Sequence, residues 1–332
     1  MEIISTLKES GLTGLGGAGF PTWQKWQAVK DAEDRKRFLI CNLSEGEPDV
    51  FKDEYIINHH LKELVSGIEL AAEAISAQKS YIFLNDRYGR YLKKIKRATS
   101  GKKIEIFIDT GRYLCGEETT LLQVMEGKLR QPRIKPPYPT EAGLYGCPTL
   151  INNAETLYQA HLVSAGNYQP KRFYSISDDA GRKKIIEANI GAKISEIIGS
   201  KILESAKFAR ISGPSGYFLP KEKFNQLATG TGAIRIYGKK RRIIEGLIDS
   251  VTFLKSESCG KCTPCREGSY RIAEKINQLL ISKNLWDRKE IIEVMAEIAE
   301  AARESSFCAL GKSIANPVSS AIENFKQELI GE

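Results

Sequence analysis

The spacing of apolar residues divides the chain into regions of different type. In the first region, short apolar runs at Phe38–Asn42, Tyr81–Leu84 and Lys103–Asp109 predict strands. Apolar residues three or four positions apart predict helices over 57–77 and 90–98, between these strands. Because strands and helices alternate, the region is expected to form a parallel, Rossmann-like sheet of the α/β class.

Two further regions follow, with other patterns. Residues 166–238 contain short elements separated by turn residues, with a strand at Ala233–Tyr237, and predict a small mixed α/β insert. From residue 239 onward, apolar residues recur at helical spacing, which predicts a helical bundle. The bundle helices are expected over 241–255, 271–281, 288–302 and 314–329. We therefore predict three domains, covering 1–165, 166–238 and 239–332.

Composition narrows the class of protein. The 332 residues are 42% hydrophobic and 27% charged, as in ordinary soluble globular proteins. No apolar run is long enough to cross a bilayer, and the N-terminal residues lack the apolar core of a secretory signal. Seven cysteines, four of them with metal-site spacing, fit a reducing compartment better than a disulfide framework. We expect a cytoplasmic protein without direct membrane insertion, at most peripheral to a membrane complex.

The formal net charge of +8 leaves two kinds of partner to weigh. Basic proteins often bind nucleic acids, but here the short basic runs at 93–94, 102–103 and 239–242 are dispersed. We therefore favour a solvated basic surface or a docking face for an acidic protein partner, and expect no nucleic acid.

Four cysteines give the strongest chemical signal. Three stand at C-x-x-C-x-x-C spacing and the fourth lies in a later segment: Cys259, Cys262, Cys265 and Cys308. Three thiolates from one loop and one from a distant segment are typical of a [4Fe-4S] cluster. Structural zinc more often takes two separated pairs of ligands, so zinc and unligated thiols are the weaker alternatives. Gly260 is expected to let the loop curl, and Pro264 to stop it.

Glycines cluster just after a predicted N-terminal helix at 2–9. Gly14, Gly16 and Gly19 match G-x-G-x-x-G by spacing, but a dinucleotide-binding loop normally follows a strand. Such a loop still lets backbone N–H groups approach an anion or a flat ring closely. Lys25 lies just beyond the loop, where it can meet a phosphate. The alternative is a flexible surface loop.

Polar residues collect where predicted strands end. Glu45 and Glu47 follow the first strand, where α/β sheets carry ligand loops, and their carboxylates can accept hydrogen bonds from ribose or ribityl hydroxyls. After the third strand, Gly116 is expected to form a tight turn, and Glu118 to lie in the first turn of a helix whose N-terminus faces a ligand.

Two later segments add further candidates. Four prolines within 131–139 predict a stiff extended arm that fixes the places of Lys135 and Tyr138. Asn152 and Asn153 carry amides that can bind the polar edge of a ring, although Asn153 is equally suited to cap the helix that follows.

The chain resembles one protein family through five ordered motifs: Gly-Leu-Gly-Gly-Ala-Gly-Phe-Pro-Thr, Ser-Glu-Gly-Glu-Pro-Asp-Val-Phe-Lys-Asp, Cys-Gly-Glu-Glu-Thr-Thr-Leu-Leu, Gln-Pro-Arg-Ile-Lys-Pro-Pro-Tyr-Pro and Ser-Cys-Gly-Lys-Cys-Thr-Pro-Cys-Arg-Glu-Gly. The family is the NADH-oxidising flavoprotein subunit of respiratory complex I. Diaphorase subunits of NAD-linked hydrogenases and formate dehydrogenases share the pattern, and the similarity covers nearly the whole chain.

The resemblance implies cofactors, folds and site residues. It implies FMN, NAD(H) and one [4Fe-4S] cluster, with a β-grasp (ubiquitin-like) fold for the insert and a helical bundle around the cluster. The residues expected to contact FMN are Gly14, Gly16, Gly17, Lys25, Asn42, Glu45, Tyr113, Gly116, Glu118, Asn152 and Asn153. Those expected to contact NAD(H) are Phe20, Glu47, Lys135 and Tyr138. Glu45 and Glu47 are assigned to the catalytic site, and the four cysteines are the cluster ligands.

Three positions depart from the family pattern. Ser44 stands where the family has aspartate, so one acidic FMN contact is missing. Leu15 stands where the family has an arginine between the first two glycines. Ala28 replaces an aromatic residue that helps to stack the adenine of the nicotinamide cofactor, a contact of about 1 kcal/mol.

The function implied by the resemblance is that of an NADH dehydrogenase (diaphorase) subunit. A hydride passes from NADH to FMN, and single electrons then pass through the cluster to partner subunits. The implied partner is a thioredoxin-like subunit with a [2Fe-2S] cluster, within a larger redox complex. Because of Ala28 and Ser44, the same relay with NADPH, ferredoxin or another carrier is the alternative. A non-catalytic iron–sulfur scaffold or a nucleic-acid-binding protein is a third reading.

Overall fold

The fold was analysed in a computed structural model that describes residues 2–34, 36–109 and 111–331. The chain divides into two compact units. Unit 1 comprises Met1–Gly46 and Phe51–Phe173, and unit 2 comprises Glu47–Val50 and Tyr174–Glu332. The three-domain division with boundaries after residues 165 and 238 stays a prediction.

Unit 1 is built from alternating helices and strands. Its described elements are α1 (Ile3–Ser10), α2 (Thr22–Asp31), β1 (Phe38–Leu43), α3 (Lys52–His59), α4 (Leu61–Ala74), β2 (Lys79–Leu84), α5 (Leu92–Ala98), β3 (Ile104–Ile108), α6 (Glu118–Met125), α7 (Pro139–Ala142), β4 (Thr149–Asn153) and α8 (Ala154–Ser164). Short 3-10 helices lie at Asp86–Tyr91, Tyr113–Gly116 and Leu144–Gly146.

The four strands form a parallel sheet in the order β3-β2-β1-β4. In this register Asn42 lies opposite Phe83 on one side and Asn153 on the other. The carboxyl ends of all four strands therefore meet at one edge, where the loops after β1, β3 and β4 carry the predicted site residues. The predicted parallel α/β sheet is confirmed.

The prediction of one helix over 57–77 is wrong. The chain forms α3 and α4 instead, and the break falls at His60, whose N–H donates to Ile56 O at the end of α3.

Farther along α4, Gly67 packs directly on the backbone of α8, because a Cβ at this position would overlap Leu157 O. Helices α4 and α8 therefore pack so closely at this point that no side chain fits between them.

Unit 2 contains a mixed sheet and a set of helices. Its described elements are β5 (Lys171–Asp178, which begins in unit 1), β6 (Lys183–Asn189), α9 (Ile194–Ile198), α10 (Ser200–Ser205), β7 (Ala206–Ile211), β8 (Tyr217–Pro220), β9 (Ala233–Gly238), α11 (Ile243–Glu257), α12 (Thr263–Ile281), α13 (Leu285–Ser305), α14 (Ala309–Ser313) and α15 (Ala315–Ile330). A 3-10 helix lies at Lys221–Lys223.

The sheet of unit 2 has the strand order β6-β5-β9-β7-β8. Strands β5 and β9 run parallel, and β7 is antiparallel to both β8 and β9. This mixed sheet is compatible with the predicted insert, whose β-grasp fold type stays a prediction. Its buried core includes Tyr174, Ile211, Phe224 and Ile234.

The predicted helical C-terminal region is confirmed. Helices α11, α12, α13 and α15 correspond to the four expected bundle helices and pack on one another. They also join the sheet, since Phe218 N donates to Ser320 Oγ at 2.9 Å and a Cβ on Gly246 would lie 2.9 Å from the Phe218 ring. Among the described residues, no helix combines the length and apolarity that membrane crossing requires.

Candidate functional site

The glycine-rich loop between α1 and α2 closes on itself. Gly14 N donates to Phe20 O at 2.8 Å, and Thr22 N donates to Leu12 O at 3.0 Å. Gly17 has a φ of 112°, a backbone conformation that side chains rarely adopt. Residues 16–20 are exposed, so this part of the loop is accessible to a ligand.

The same loop is anchored on the start of α8. Leu15 N donates to Thr156 Oγ1 at 2.9 Å, and Leu15 O accepts from Arg172 Nη2 at 3.1 Å. A Cβ on Gly16 would lie 3.3 Å from Asn153 Cβ. These contacts argue against the alternative of a free surface loop. Leu15 is also buried and both of its backbone groups are engaged, so position 15 offers a ligand neither a charged side chain nor a free backbone group.

The two adjacent asparagines have different partners. Asn152 Oδ1 accepts from the indole N–H of buried Trp26 at 2.8 Å. Asn153 Oδ1 accepts from Glu155 N at 3.0 Å and so caps α8. Of the two roles weighed for Asn153, helix capping is thus observed. Contact of either amide with FMN stays a prediction.

Lys25, Glu118 and Lys135 form one ionic group. Lys25 Nζ lies 2.9 Å from a Glu118 carboxylate oxygen and also donates to Ile151 O at 3.0 Å. Lys135 Nζ hydrogen-bonds the second Glu118 oxygen at 2.5 Å. Burial alone would raise the pKa of Glu118, but the two ammonium groups more than offset it and lower that pKa to about 2. The two lysines predicted to meet FMN and NAD(H) thus share one carboxylate.

The two loops predicted to contact FMN, after β1 and before α6, pack with their backbones in contact. Asn42 Nδ2 donates to Gly116 O at 2.8 Å, which joins the end of β1 to the turn before α6. A Cβ on Gly116 would lie 3.0 Å from Ser44 O, and one on Gly46 would lie 2.8 Å from Tyr113 Cα. The two glycines let the loops pack this closely, and the cradle that these loops form is predicted to hold FMN.

We expect Gly46→Ala to weaken FMN binding at least tenfold and to lower the free energy of unfolding. The added methyl would meet the backbone of Tyr113 at 2.8 Å, so one of the two loops must move. Gly89→Ala is the matched control, because a Cβ there meets nothing within 4 Å. The measurements are FMN titration by flavin fluorescence and urea denaturation. Equal behaviour of the two variants would contradict the assigned cradle.

The Glu45 carboxylate is fully engaged with protein donors. Its Oε1 accepts from Lys52 N at 3.2 Å, and its Oε2 accepts from Asp53 N at 3.2 Å, Tyr88 Oη at 2.6 Å and Arg87 Nη2 at 3.1 Å. Because the two backbone donors belong to the first turn of α3, Glu45 also acts as the helix cap. Its expected contact with the cofactor stays a prediction.

A buried charge network beside Glu45 was missed by the sequence analysis. Lys52 is 4% exposed, and its Nζ lies 3.0 Å from Glu155 Oε2, 3.3 Å from Asn153 Oδ1 and 3.9 Å from Asp53 Oδ1. Burial lowers the pKa of Lys52, but Glu155 and Asp53 more than offset this and raise it. Burial, followed by the Glu45 charge, raises the pKa of Asp53. Lys52 and Asp53 lay inside a quoted motif, but nothing in the sequence indicated that they are buried.

The two glutamates assigned to the catalytic site fall in different compact units of the chain. Glu45 belongs to unit 1, whereas Glu47 belongs to unit 2, where it is 3% exposed and accepts from Ser215 Oγ at 2.9 Å. Nearby, Asp49 Oδ2 accepts from Arg210 Nη2 at 3.1 Å. The chain between the glutamates gave no signal of this change of unit.

The exposed aromatic residues expected to contact NAD(H) lie in unit 1. Phe20 and Tyr138 are each 52% exposed. Each stands shortly before a helix, Phe20 before α2 and Tyr138 before α7, and these two helices pack together. Large rings left half in solvent are suited to stack on a planar ligand.

The four predicted cluster ligands come from two segments of unit 2 that pack together. A Cβ on Gly311, three residues after Cys308, would lie 2.9 Å from Cys265 Cβ and 2.6 Å from Ser306 Cβ. Burial, followed by the charges of the other three cysteines, raises the pKa of Cys265 to about 11, although a Ser258 hydrogen bond opposes the shift. The remote cysteine segment is thus packed directly against the C-x-x-C-x-x-C segment.

The cysteine loop differs from its prediction in one respect. Pro264 does not end a loop but stands in the first turn of α12, which begins at Thr263, so Cys265 lies on the helix. Proline is favoured in a first helical turn, where its missing N–H costs nothing. Gly260 has a φ of 76°, as the expected curl requires.

The donor set is four thiols from two segments that pack together. Three thiolates from one short segment and a fourth from a remote one are the ligand set that a [4Fe-4S] cluster takes. The chemistry of these residues therefore fits the predicted cluster, and the assignment of the four ligands stays a prediction.

Two known family models match this chain, one in its first half and one at its C-terminal end. The Nuo51 FMN-binding domain matches residues 7–162, and the iron–sulfur binding region of NADH-ubiquinone oxidoreductase-F matches residues 247–331. The first match covers the glycine loop and the parallel sheet, and the second covers all four predicted cluster ligands.

The individual relatives are F subunits of NADH-quinone oxidoreductase and the alpha subunit of an NAD-reducing hydrogenase. The NADH-quinone oxidoreductase F subunit of Mycobacterium bovis is 31% identical over 99% of this chain and 84% of its own length. The counterpart in Streptomyces coelicolor is 30% identical over 98% of this chain and 82% of its own length. The alpha subunit of the NAD-reducing hydrogenase HoxS of Cupriavidus necator is 31% identical over 98% of this chain, which spans 60% of that subunit.

A solved structure of a hydrogenase has the same fold as this chain. A crystal structure of an NAD+-reducing [NiFe]-hydrogenase in the H2-reduced state superposes with a TM-score of 0.91 at 31% identity, over 99% of this chain and 62% of the matched chain. The present chain therefore spans about three fifths of the hydrogenase chains it matches. From its sequence, fold and glycine and cysteine motifs, the chain belongs to the family that comprises the NADH-quinone oxidoreductase F subunit and the alpha subunit of NAD-reducing hydrogenase.

Proposed function

We propose that this chain is the NADH-oxidising flavin and iron–sulfur subunit of a multi-subunit oxidoreductase. The observation that carries the proposal is that an FMN-binding domain and an iron–sulfur binding region match the same chain, over residues 7–162 and 247–331. The chemistry that bound FMN supplies is to accept an electron pair as hydride and to release the electrons singly. A protein that holds both groups is suited to link a two-electron donor to one-electron carriers.

The chain's own residues bind and orient the two ligands. Gly16 and Gly17 are exposed and offer backbone N–H donors to the FMN phosphate, and the close contacts of Gly46 and Gly116 fix the two loops that border the flavin. Lys25 adds a cation whose position is fixed by Glu118. Because Leu15 carries no charge, the phosphate relies on these backbone donors and on Lys25.

The nicotinamide cofactor is held by residues of a different type. Phe20 and Tyr138 offer half-exposed rings for stacking, and Lys135 offers an ammonium to a pyrophosphate or ribose oxygen. Glu47, which belongs to unit 2, stays a sequence-based candidate for a carboxylate that accepts hydrogen bonds from ribose hydroxyls. Ala28 is exposed and adds no ring, so adenine stacking depends on the two aromatic residues named above.

The cluster ligands are the four cysteines, and the partner is a further redox subunit. Cys259, Cys262, Cys265 and Cys308 supply the thiolates of one [4Fe-4S] cluster. The relatives named above are subunits of NADH-quinone oxidoreductase and of a hydrogenase. We propose a thioredoxin-like [2Fe-2S] subunit as the electron acceptor, within a larger complex that is at most peripheral to a membrane. The net charge of +8 favours an acidic docking face on that partner.

Anaerobic reduction tests the proposal. The full chain, with FMN and cluster restored, should lose its flavin absorbance when excess NADH is added. Lys135→Met should raise the NADH concentration needed for half-reduction several-fold, because it removes the cation assigned to the cofactor. Lys128→Met is the control, since Lys128 is exposed and has no assigned role.

One outcome would overturn the assignment of NADH as donor, namely flavin that stays oxidised with excess NADH but bleaches with dithionite. If NADPH or reduced ferredoxin then bleaches the same flavin, that carrier is the donor, which is the alternative motivated by the exposed Ala28 and by Ser44.

A further inference from the structure

The loop after β1 carries a serine where the family carries an acidic FMN contact. Ser44 lies at the carboxyl end of β1, is 7% exposed and is held by a hydrogen bond from its N–H to Asn42 Oδ1 at 3.2 Å. Its hydroxyl is too short to reach as far as a carboxylate and carries no charge. Position 44 by itself therefore lacks the acceptor that an anionic side chain would supply.

The structure brings a different carboxylate to the same place. Ser44 Oγ donates to Asp109 Oδ2, although the two residues are 65 positions apart in the sequence. Asp109 directly follows β3 and extends its pairing with β2, because Asp109 N donates to Leu84 O at 2.9 Å. Only the parallel register of β1, β2 and β3 brings the ends of the first and third strands into contact.

Asp109 has the features of an acceptor held ready for a ligand. It is 4% exposed, and its Oδ1 accepts from Gly111 N. Burial, and to a smaller extent the nearby Asp86 charge, raises the pKa of Asp109, although the hydrogen bonds from Ser44 and Gly111 oppose the shift. Within residues 2–34, 36–109 and 111–331, no lysine or arginine forms a salt bridge with it. A buried carboxylate without a cation is costly unless further donors meet it.

The surroundings of Asp109 are the predicted FMN loops. Ser44 O lies 3.0 Å from the place of a Cβ on Gly116, and Asn42 joins both loops through its side-chain amide, donating to Gly116 O. Asp109 thus contacts Ser44, whose backbone in turn contacts two residues already assigned to FMN, Asn42 and Gly116. The hydroxyls of the ribityl chain are the donors that such a carboxylate would accept.

We propose that Asp109 supplies the acidic hydrogen-bond acceptor for the ribityl hydroxyls of FMN that position 44 lacks, with Ser44 orienting the carboxylate. This inference rests on the proposed function, since it requires that the chain bind FMN. It adds a binding residue that none of the five motifs marks, and it explains how the substitution at position 44 is tolerated. In this chain the acidic acceptor therefore lies at the end of β3, whereas the family pattern has it at the end of β1.

Exchange of the two side chains tests the inference. Asp109→Asn keeps the shape and a hydrogen-bonding group toward Ser44, but removes the charge. A hydrogen bond to a charged group contributes about 1.5–3 kcal/mol, so the dissociation constant for FMN should rise about 10- to 100-fold. The double variant Ser44→Asp with Asp109→Ser returns the carboxylate to position 44 and should restore affinity to within a few-fold of the wild type. Asp86→Asn, an exposed acid nearby, should leave affinity unchanged.

The readout is the dissociation constant from FMN fluorescence quenching, with cluster absorbance as a check that the protein is intact. Unchanged affinity in Asp109→Asn would overturn the inference, and so would a double variant that binds as weakly as Asp109→Asn. Failure of the proposed function gives a different result, because the wild-type chain itself would then bind no FMN while its cluster absorbance stayed normal.

Discussion

Cys308→Ser is expected to remove the [4Fe-4S] cluster from the protein. Iron should fall from about four atoms per chain to below about one, because the cluster needs four thiolates and a serine hydroxyl is a poor iron ligand. Cys308 is the one predicted ligand that comes from outside the C-x-x-C-x-x-C segment, so its loss leaves one corner of the cluster unbound. Iron and acid-labile sulfide analysis of the purified chain measures the effect.

Cys147→Ser is the matched control for this experiment. Cys147 is partly exposed, as Cys308 is, but it lies in unit 1 and has no predicted metal role. Its variant should keep the full iron and sulfide content. A Cys308→Ser protein with undiminished iron would contradict the ligand assignment. Wild-type protein that holds one zinc ion and no sulfide would instead favour the zinc alternative.

Lys52→Met is expected to lower the free energy of unfolding by about 3–5 kcal/mol. Removing one partner of a buried ion pair leaves the other charge poorly compensated. Here the remaining carboxylate is the fully buried Glu155, whose other cation, Arg172 Nη2, is 3.9 Å away. The Lys52 ammonium also donates to Asn153, which caps α8 beside Gly16. Weaker FMN binding should therefore accompany the loss of stability. Urea denaturation and FMN titration measure the two effects.

Two further variants separate charge from packing. Lys62→Met replaces an exposed lysine on α4 and should change stability by less than about 0.5 kcal/mol. Lys52→Met combined with Glu155→Gln removes both charges, and should recover a large part of the stability lost in the single variant. If the double variant is no more stable than Lys52→Met alone, the loss must come from packing and not from the ion pair.

The sequence predicted the elements better than their contacts. Periodicity located the three strands Phe38–Leu43, Lys79–Leu84 and Ile104–Ile108 and the four long C-terminal helices, because burial of one face imposes a repeat on the sequence. It did not locate the start of α12, where cysteines and a proline suggested a loop while the backbone is helical. A proline in the first helical turn gives the same local signal as a proline that ends a loop.

For the candidate site, too, the sequence predicted local motifs better than contacts between distant segments. The motifs named the cysteines and the glycine loop, whose spacing within a short segment reflects local geometry. Contacts between distant segments left no such pattern: Ser44 with Asp109, Lys52 with Glu155, and the placement of Glu47 in unit 2. These depend on strand register and chain path, which a single sequence does not encode locally.

The backbone contact between Gly67 and Leu157 links an outer helix to cofactor binding. The first turn of α8 holds the glycine loop through Thr156, and its cap residue Asn153 lies against Gly16. Any side chain at position 67 would force α4 and α8 apart, and this displacement would tilt the helix end on which the loop rests. A substitution in α4 that yields flavin-free protein should thus be explained by a change in the distance between α4 and α8. The residues that contact the flavin would be unchanged in such a variant.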